Sequence, residues 1–175
     1  PDASAFFKQH QLYCSTGPGS GFDVRPPHSH PVEPAGRIMD GWIMGWKLPS
    51  PPDWRASPDG AMEWTHFLNR HHFMRELSRP QEEALEPRAI AFLERLLTHW
   101  IRRHPAPLDS NGGAGPAWET LSTAWRLREW LWVIGQAWPS PYFSDFAKDL
   151  MLRSLWEHAV SLQNYKGHPN NWLIV

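Results

Sequence analysis

Two asparagines near the end of the sequence have side chains suited to binding an anion. The segment Pro169-Asn170-Asn171 precedes an apolar run, Trp172-Leu173-Ile174-Val175. The side-chain oxygen of an asparagine before such a run can accept a hydrogen bond from a backbone N–H at the start of a helix. Asn170 is therefore predicted to be an N-cap. Asn171 would then lie in the first turn, at the positive end of the helix, where a carboxylate is stabilised. Helix capping and anion binding are both open to this pair.

A second set of candidate residues is charged and lies within an apolar segment. Arg126, Arg128 and Glu129 stand between Trp118 and Trp138, where tryptophan and aliphatic residues point in nearly every direction around a helical wheel. A buried charge must be paired or must face a wet cavity. One interpretation is an internal ion pair through Glu129. The other is a guanidinium directed into a cleft for an anionic ligand, and the sequence leaves both open.

Ten histidines raise the question of a metal site. His28 and His30, and His66 with His71-His72, have the close spacing from which zinc sites are often built. However, the sequence has no His-Glu-x-x-His motif and no carboxylate at ligand spacing from these histidines. We therefore predict no metal site and no cofactor in this chain. The single cysteine, Cys14, also excludes an internal disulfide framework.

Tryptophan is unusually frequent, with 12 residues. A buried indole removes roughly 150 to 250 Å² from water and needs a partner for its N–H group. Such a set suits either a helical core or a series of platforms on which sugar rings stack. Aromatic residues at helical spacing are mostly core residues, so the core interpretation is favoured for any single tryptophan.

The overall composition limits the classes of partner. A net charge of −1 leaves no basic excess to hold phosphates, so nucleic acid is not expected as a partner. No run of about 18 apolar residues is present, which argues against a membrane span. The apolar ending predicts that the chain is the front part of a longer protein, since termini are usually polar and loosely held. The oligomeric state cannot be predicted.

The composition and the periodicity of the sequence change near residue 60. Residues 1–60 hold 10 of the 18 prolines, which predicts an irregular segment that packs on a helical domain over residues 61–175. Within the first segment, Asp40-Gly41 between apolar residues predicts the turn of a short hairpin.

The second segment has helical periodicity. Four helices are predicted, over Trp64–Leu77, Glu86–Arg103, Trp118–Trp138 and Phe143–Gln163. The third is apolar nearly all round and should be buried on most sides. The fourth is amphipathic, and its predicted apolar face consists of Leu152, Leu155, Ala159 and Leu162. Helices joined by modest loops, one of them buried, predict a mainly α fold that forms a partial (α/α) toroid of antiparallel helix pairs.

Three segments together resemble the N-terminal toroid region of the heparinase II/III-like polysaccharide lyases. They are Trp54 with Trp64–His71, then Trp118–Trp130, then Ser154–Ala159 leading to Asn170-Asn171-Trp172-Leu173. Their order and spacing over most of residues 40–175 carry the resemblance.

The resemblance implies cleavage of a uronic-acid polysaccharide by β-elimination. An asparagine in the corresponding family motif lies in the sugar-binding cleft, so Asn171 is the expected neutraliser of the substrate carboxylate and Asn170 its alternative. Trp172 stands where some relatives carry histidine. The family's catalytic bases lie beyond the end of this chain, and its three tyrosines do not match their positions. By the same resemblance, we expect substrate contacts from Arg70, His71, Trp118, Arg126, Trp130 and Trp172.

The resemblance also bears on the binding partner and the cellular location of the protein, and other functions remain as alternatives. The resemblance implies an acidic polysaccharide or oligosaccharide as partner and a periplasmic or secreted location, and it leaves room for a structural metal in a C-terminal part. The 175 residues alone are expected to be inactive. The alternative is a non-catalytic helical module that binds acidic glycan or a protein partner. A glycoside hydrolase needs a pair of carboxylates, and no convincing pair is present.

Overall fold

The computed structural model of the protein describes residues 33–79, 83, 85–107 and 115–164. Within these ranges the fold is mainly helical, as predicted, and it includes one short antiparallel hairpin. The elements in chain order are α1 (Ala35–Met39), β1 (Trp42–Ile43), β2 (Trp46–Lys47), α2 (Met62–Arg70), α3 (Met74–Ser78), α4 (Glu86–Arg103), α5 (Thr120–Ala137) and α6 (Asp145–Gln163). No helix in the described ranges is both long and apolar enough to cross a membrane.

Helix α5 is the centre of the packing, because it contacts α2, α3 and α6. Helix α4 packs against α3 and α6 and has the bounds predicted from the sequence. The buried residues of α5 recur at steps of three and four and form one face. They are Thr120, Ser122, Thr123, Arg126, Glu129, Trp130, Val133, Ile134 and Ala137. The prediction that α5 is buried on most sides is wrong for its outer face, where Leu131 is 39% exposed.

The single helix predicted over Trp64–Leu77 is two helices. His71 ends α2 in the left-handed conformation, with φ of 63°, and α3 starts at Met74. That conformation is unfavourable by roughly 1–2 kcal/mol for a residue with a Cβ. The burial of the His71 ring and its hydrogen bond from Trp130 offset this cost. Tertiary packing therefore overrides the helical period at this point.

The hairpin is present, but its turn is not at Asp40-Gly41. Strand β1 pairs with β2, and the turn between them is Met44-Gly45, where both residues have positive φ, as in the tight turns that match strand twist. Gly41 instead follows the end of α1 with φ of 89°. A Cβ at Gly41 would lie 2.6 Å from the Leu48 carbonyl oxygen, so this position requires glycine.

The buried face of α6 also differs from the prediction. It consists of Ala147, Met151, Ser154, Leu155, His158 and Ser161. Of the predicted apolar face, only Leu155 is buried, and Ala159 is exposed. On this buried face, His158 makes hydrogen bonds inside the protein, as described below. An apolar stripe alone therefore does not locate the packed side of this helix.

Candidate functional site

A buried group of rings and one guanidinium lies between α2, α4, α5 and α6. We call it the inner cluster, and it consists of Asn69, His71, Trp100, Trp118, Arg126, Trp130 and His158. Trp130 stacks on His71 with ring centroids 5.7 Å apart, and its Nε1 donates to His71 Nδ1 at 2.9 Å. The His158 ring centroid lies 4.6 Å from that of Trp118 and 4.8 Å from that of Trp130. Polar rings thus alternate with indoles in the interior.

Asn69 joins the cluster to the segment before α2. Its Nδ2 donates to the backbone oxygens of Trp54 at 2.8 Å and Thr65 at 2.9 Å, and its Oδ1 accepts from Trp100 Nε1 at 2.9 Å. The side chain therefore uses both donor hydrogens and its acceptor in a fully buried position. These bonds hold the end of α2 against α4.

Arg126 is fully buried at the centre of the inner cluster. Its Nε donates to His158 Nε2 at 2.7 Å and its Nη1 to the backbone oxygen of Asn69 at 2.8 Å. The guanidinium carbon lies 4.0 Å from the Trp100 ring centroid and 5.2 Å from that of Trp118. Arg126 therefore links α5 to α2 and α6 through neutral acceptors and aromatic faces.

One nitrogen of the Arg126 guanidinium remains, with both of its N–H groups. Its Nη2 is buried and has no hydrogen-bond partner within the described ranges. No described carboxylate lies within 4 Å of the guanidinium. Burial lowers its pKa well below the usual value, and the more distant charge of Glu119 acts in the opposite direction. The positive charge at the centre of the cluster is thus held mainly by dipoles and aromatic faces.

The internal ion pair considered for Glu129 is present, with Arg75 as its partner. Arg75 donates to Glu129 through Nε, and through Nη2 at 2.8 Å. His72 Nδ1 lies 3.1 Å from Glu129 Oε1. Burial acts to raise the pKa of Glu129, but the interactions with His72 and Arg75 outweigh it and lower the pKa. Glu129 is therefore ionised and joins α5 to the end of α2 and to α3, and Arg126 does not share it.

The hydrogen bonds assign a neutral form to the two inner histidines. His158 Nε2 accepts from Arg126, so the ring proton is on Nδ1, 2.6 Å from the Ser154 carbonyl oxygen. His71 Nδ1 accepts from Trp130, which leaves the proton on Nε2, a buried atom without a described partner. Burial first, and then the charge of Arg126, lower the pKa of both histidines well below the usual value.

This neutrality predicts that the free energy of unfolding decreases as the pH falls below about 6.5. The pKa of His71 and His158 is depressed in the folded protein, so the unfolded chain binds their protons first and acid favours unfolding. Each contributes up to about 1.4 kcal/mol per pH unit in that range. Urea unfolding between neutral pH and about pH 5 measures the slope. His158→Gln should reduce the slope of the free energy of unfolding against pH by the contribution of one proton bound on unfolding. An unchanged slope would contradict the assignment.

Arg70 lies beside the inner cluster. Its guanidinium carbon lies 4.7 Å from the Phe67 ring centroid, and Nη1 is 3.5 Å from Glu63 Oε1. Burial lowers the pKa of Arg70, although Glu63 and Glu119 act to raise it. The carboxylate of Glu119 caps α5 by accepting from the backbone N–H groups of Leu121 at 2.9 Å and Ser122 at 2.8 Å. Glu119 thus stabilises both the start of α5 and the nearby cations.

The structure brings most of the candidate contact residues together, but inside the protein. His71, Trp118, Arg126 and Trp130 belong to one cluster, and Arg70 is its neighbour in sequence and in space. All five are buried. Asn170, Asn171 and Trp172 lie outside the described residues. A role of the five buried residues in contacting a glycan stays a prediction.

Three members of the inner cluster were missed as candidate site residues, Asn69, Trp100 and His158. Trp100 belongs to the apolar buried face of α4, which predicts a core residue and nothing more. For His158 a signal exists, because Ser154, His158 and Ser161 recur at helical spacing and form a small polar stripe. Such a stripe on a helix fits close packing against another polar group. For Asn69 we find no comparable signal, since a buried asparagine in a helix is recognised only through its partners.

Metal binding was also considered for the histidines. In the described part of the chain, no group of three or more histidine, cysteine, aspartate or glutamate side chains is arranged to hold a metal ion. His28 and His30 lie outside the described residues. His66 Nδ1 lies 3.3 Å from Ser122 Oγ and 3.7 Å from Glu119 Oε2, so its neighbours are a hydroxyl and the helix-capping carboxylate.

The chain matches a model of a known protein family. The family model described as heparinase II/III N-terminus matches residues 46–175. This range contains the hairpin strand β2, helices α2 to α6 and the whole inner cluster. No curated protein and no solved structure matches the chain.

Proposed function

The chain belongs to the heparinase II/III family, and on this basis we propose that it is the N-terminal part of a polysaccharide lyase. The substrate class is a uronic-acid glycan and the reaction is β-elimination. The observation that carries the proposal is the family match over residues 46–175. A periplasmic or secreted location is part of the same proposal.

The chemistry explains which groups the reaction needs. A base removes the proton at C5 of the uronate, the C4–O4 bond breaks, and the electron pair forms a C4=C5 double bond. An acid gives a proton to the leaving O4. The C5 proton is α to a carboxylate, so its removal builds a dianion unless the carboxylate is first neutralised or hydrogen-bonded. A donor placed on that carboxylate lowers the barrier.

Asn171 is the residue we propose for this donor, with Asn170 as helix cap and as the less favoured alternative. The support comes from the motif itself, because an amide N–H in the first turn of a helix would meet the carboxylate where the helix dipole also favours it. The base and the acid are proposed to come from residues outside these 175.

The inner cluster supports the proposal indirectly. It fixes α2, α5 and α6 relative to each other through Arg126, and α6 ends at Gln163, shortly before the asparagine motif in sequence. A hydrogen-bond donor for a substrate carboxylate must be held within a fraction of an ångström to be effective. We propose that the rigid core of these helices supplies this positioning.

The test is product formation by the complete protein. Incubation with alginate, heparan sulfate, chondroitin and hyaluronan should give 4,5-unsaturated uronate ends on at least one of them, seen as a rise in ultraviolet absorbance and by mass spectrometry. The 175 residues alone should give none. Hydrolytic products, in which water is added and no double bond forms, would contradict the proposal. Binding to an acidic glycan without any product would favour the alternative, a non-catalytic helical module.

A further inference from the structure

An open groove lies on the side of α4 that faces away from the inner cluster. Its volume is about 510 Å³, and it runs along α4 towards the start of α6. The residues that decide its chemistry are Glu94, Arg95, His99, Arg102, Arg103 and Phe146. On α4 they recur at steps of three and four and share one face. This groove contains none of the residues predicted to act on the substrate.

The groove carries an excess of positive charge. Arg95, Arg102 and Arg103 are exposed, and no carboxylate of the described residues lies within 4 Å of their guanidinium groups. Glu94 is engaged elsewhere, because its carboxylate accepts from the backbone N–H of Ser144 and from Ser144 Oγ at 3.1 Å. Glu94 therefore fixes the start of α6 against α4, and its charge interacts with the helix N-terminus.

The other acidic group near Arg103 is also paired. Asp53 has its pKa lowered, first by the backbone N–H of Arg55 and more weakly by Arg103. Its Oδ1 lies 3.5 Å from Arg55 Nε. Arg103 therefore interacts with Asp53 electrostatically at a distance, and no direct contact with this carboxylate neutralises its charge. Three guanidinium groups on one exposed helix face attract an anion by adding their fields.

A neutral donor and an apolar ring complete the groove. His99 Nδ1 accepts from Trp54 Nε1 at 2.9 Å, which leaves the ring proton on Nε2 as a donor. Phe146 is 58% exposed and lines the groove with its aromatic ring. Arginine suits carboxylates and sulfates through paired N–H groups, and an aromatic face suits the C–H face of a sugar ring.

We propose that this groove is a second binding site for acidic oligosaccharide, formed by residues other than those proposed for β-elimination. Arg102 and Arg103 bind the carboxylates or sulfates, His99 Nε2 donates to a sugar oxygen, and Phe146 packs against a ring. The anion preference follows from the arginines alone. The choice of a sugar acid over other anions rests on the proposed function together with Phe146.

Calorimetric titration of the complete protein with a short oligouronate tests the proposal. Asn171→Ala is used as background so that the ligand is not consumed. Two binding events are expected, and Arg102→Gln with Arg103→Gln should weaken one of them about tenfold, as expected from the loss of two exposed charge contacts. Phe146→Ala should weaken the same event. Arg79→Gln with Arg153→Gln, which removes two charges from other helices, should change neither event by more than about twofold.

The outcomes separate this site from the lyase proposal. If no event depends on Arg102 and Arg103, or if a neutral glucan of equal length binds as tightly, the proposed groove site is wrong. Polyphosphate or single-stranded DNA that binds as tightly and is insensitive to Phe146→Ala would also overturn it, because the groove would then select charge alone. One event that depends on the groove, together with no unsaturated product from the protein that retains Asn171, would support this site and contradict the lyase function.

Discussion

Replacement of Asn171 by alanine in the complete protein is expected to lower kcat on a uronic-acid polysaccharide by roughly 100- to 1,000-fold. The substrate carboxylate would lose the donor that stabilises the negative charge built up when the C5 proton leaves. The interaction is strongest in the transition state, so KM should change much less than kcat. Initial rates of unsaturated product formation over a range of substrate concentrations measure both quantities.

The neighbouring residue separates catalysis from helix capping. Asn170→Ala should lower the free energy of unfolding by about 1 kcal/mol through loss of the cap, and Asn170→Asp should preserve it, since aspartate caps equally well. Both should leave kcat within a fewfold. Asn171→Asp keeps the size of the side chain but sets a carboxylate against the substrate's own, so it should be as inactive as Asn171→Ala. If Asn170→Ala is the inactive variant, the two roles are reversed.

A surface asparagine gives the matched control. Asn164, just after α6, is exposed and lies close to the motif in sequence. Asn164→Ala removes the same side-chain atoms and should leave kcat and KM nearly unchanged. Full activity of Asn171→Ala would remove the proposed role of this residue while leaving the family assignment intact.

The sequence predicts the long helices well because they satisfy a regular pattern. Helix α4 has the predicted bounds, with Pro87 in its first turn and an apolar stripe that is buried almost throughout. Here local propensity and tertiary packing agree. The same pattern fails between α2 and α3. The apolar spacing continues from Trp64 to Leu77, but the helix does not. The helix stops at His71 because its ring packs against Trp130 and Trp54, contacts that join distant parts of the chain.

The candidate site is less predictable for a related physical reason. The buried faces of α5 and α6 include Arg126, Glu129, Ser154 and His158. A hydrophobicity pattern assigns Ser154 and His158 to solvent, whereas the apolar surroundings of Arg126 and Glu129 indicate burial without identifying their partners. Such residues can be buried only when particular partners satisfy them, and these partners lie on other helices. Charge in an apolar segment signals that partners exist. It does not show that Glu129 pairs with Arg75 while Arg126 takes His158 and the Asn69 carbonyl.

Replacement of Arg126 by methionine is expected to lower the free energy of unfolding by about 3 kcal/mol. The variant leaves His158 Nε2 and the Asn69 carbonyl oxygen buried without a donor, at roughly 1–3 kcal/mol each. It also loses the cation–π contact with Trp100, worth about 2 kcal/mol when desolvated. Against these losses stands the release of the several kcal/mol that burying the guanidinium costs. Methionine fills much of the aliphatic volume, so the cavity contribution is small.

Three further variants test the origin of this loss by urea unfolding. Arg126→Lys keeps the charge but cannot reproduce two fixed donors and a planar stack, so it should be about as unstable as Arg126→Met. The double variant Arg126→Met/His158→Leu should cost less than the sum of the single variants by at least about 1 kcal/mol, because the orphaned acceptor is removed as well. Arg128→Met, on the same helix but only half-buried, should change stability by about 0.5 kcal/mol.

Turnover decides between the two interpretations of this arginine. A guanidinium that binds the substrate must be reachable, whereas Arg126 has no exposed surface and spends two donors on the protein. A folded preparation of Arg126→Met, kept well below its unfolding temperature, should therefore retain its KM for the polysaccharide. A stable Arg126→Met protein with a much higher KM would show instead that the free Nη2 donor meets the ligand. In that case the guanidinium is buried, despite its unfavourable desolvation, because it binds the ligand. The inner cluster must then open to admit substrate.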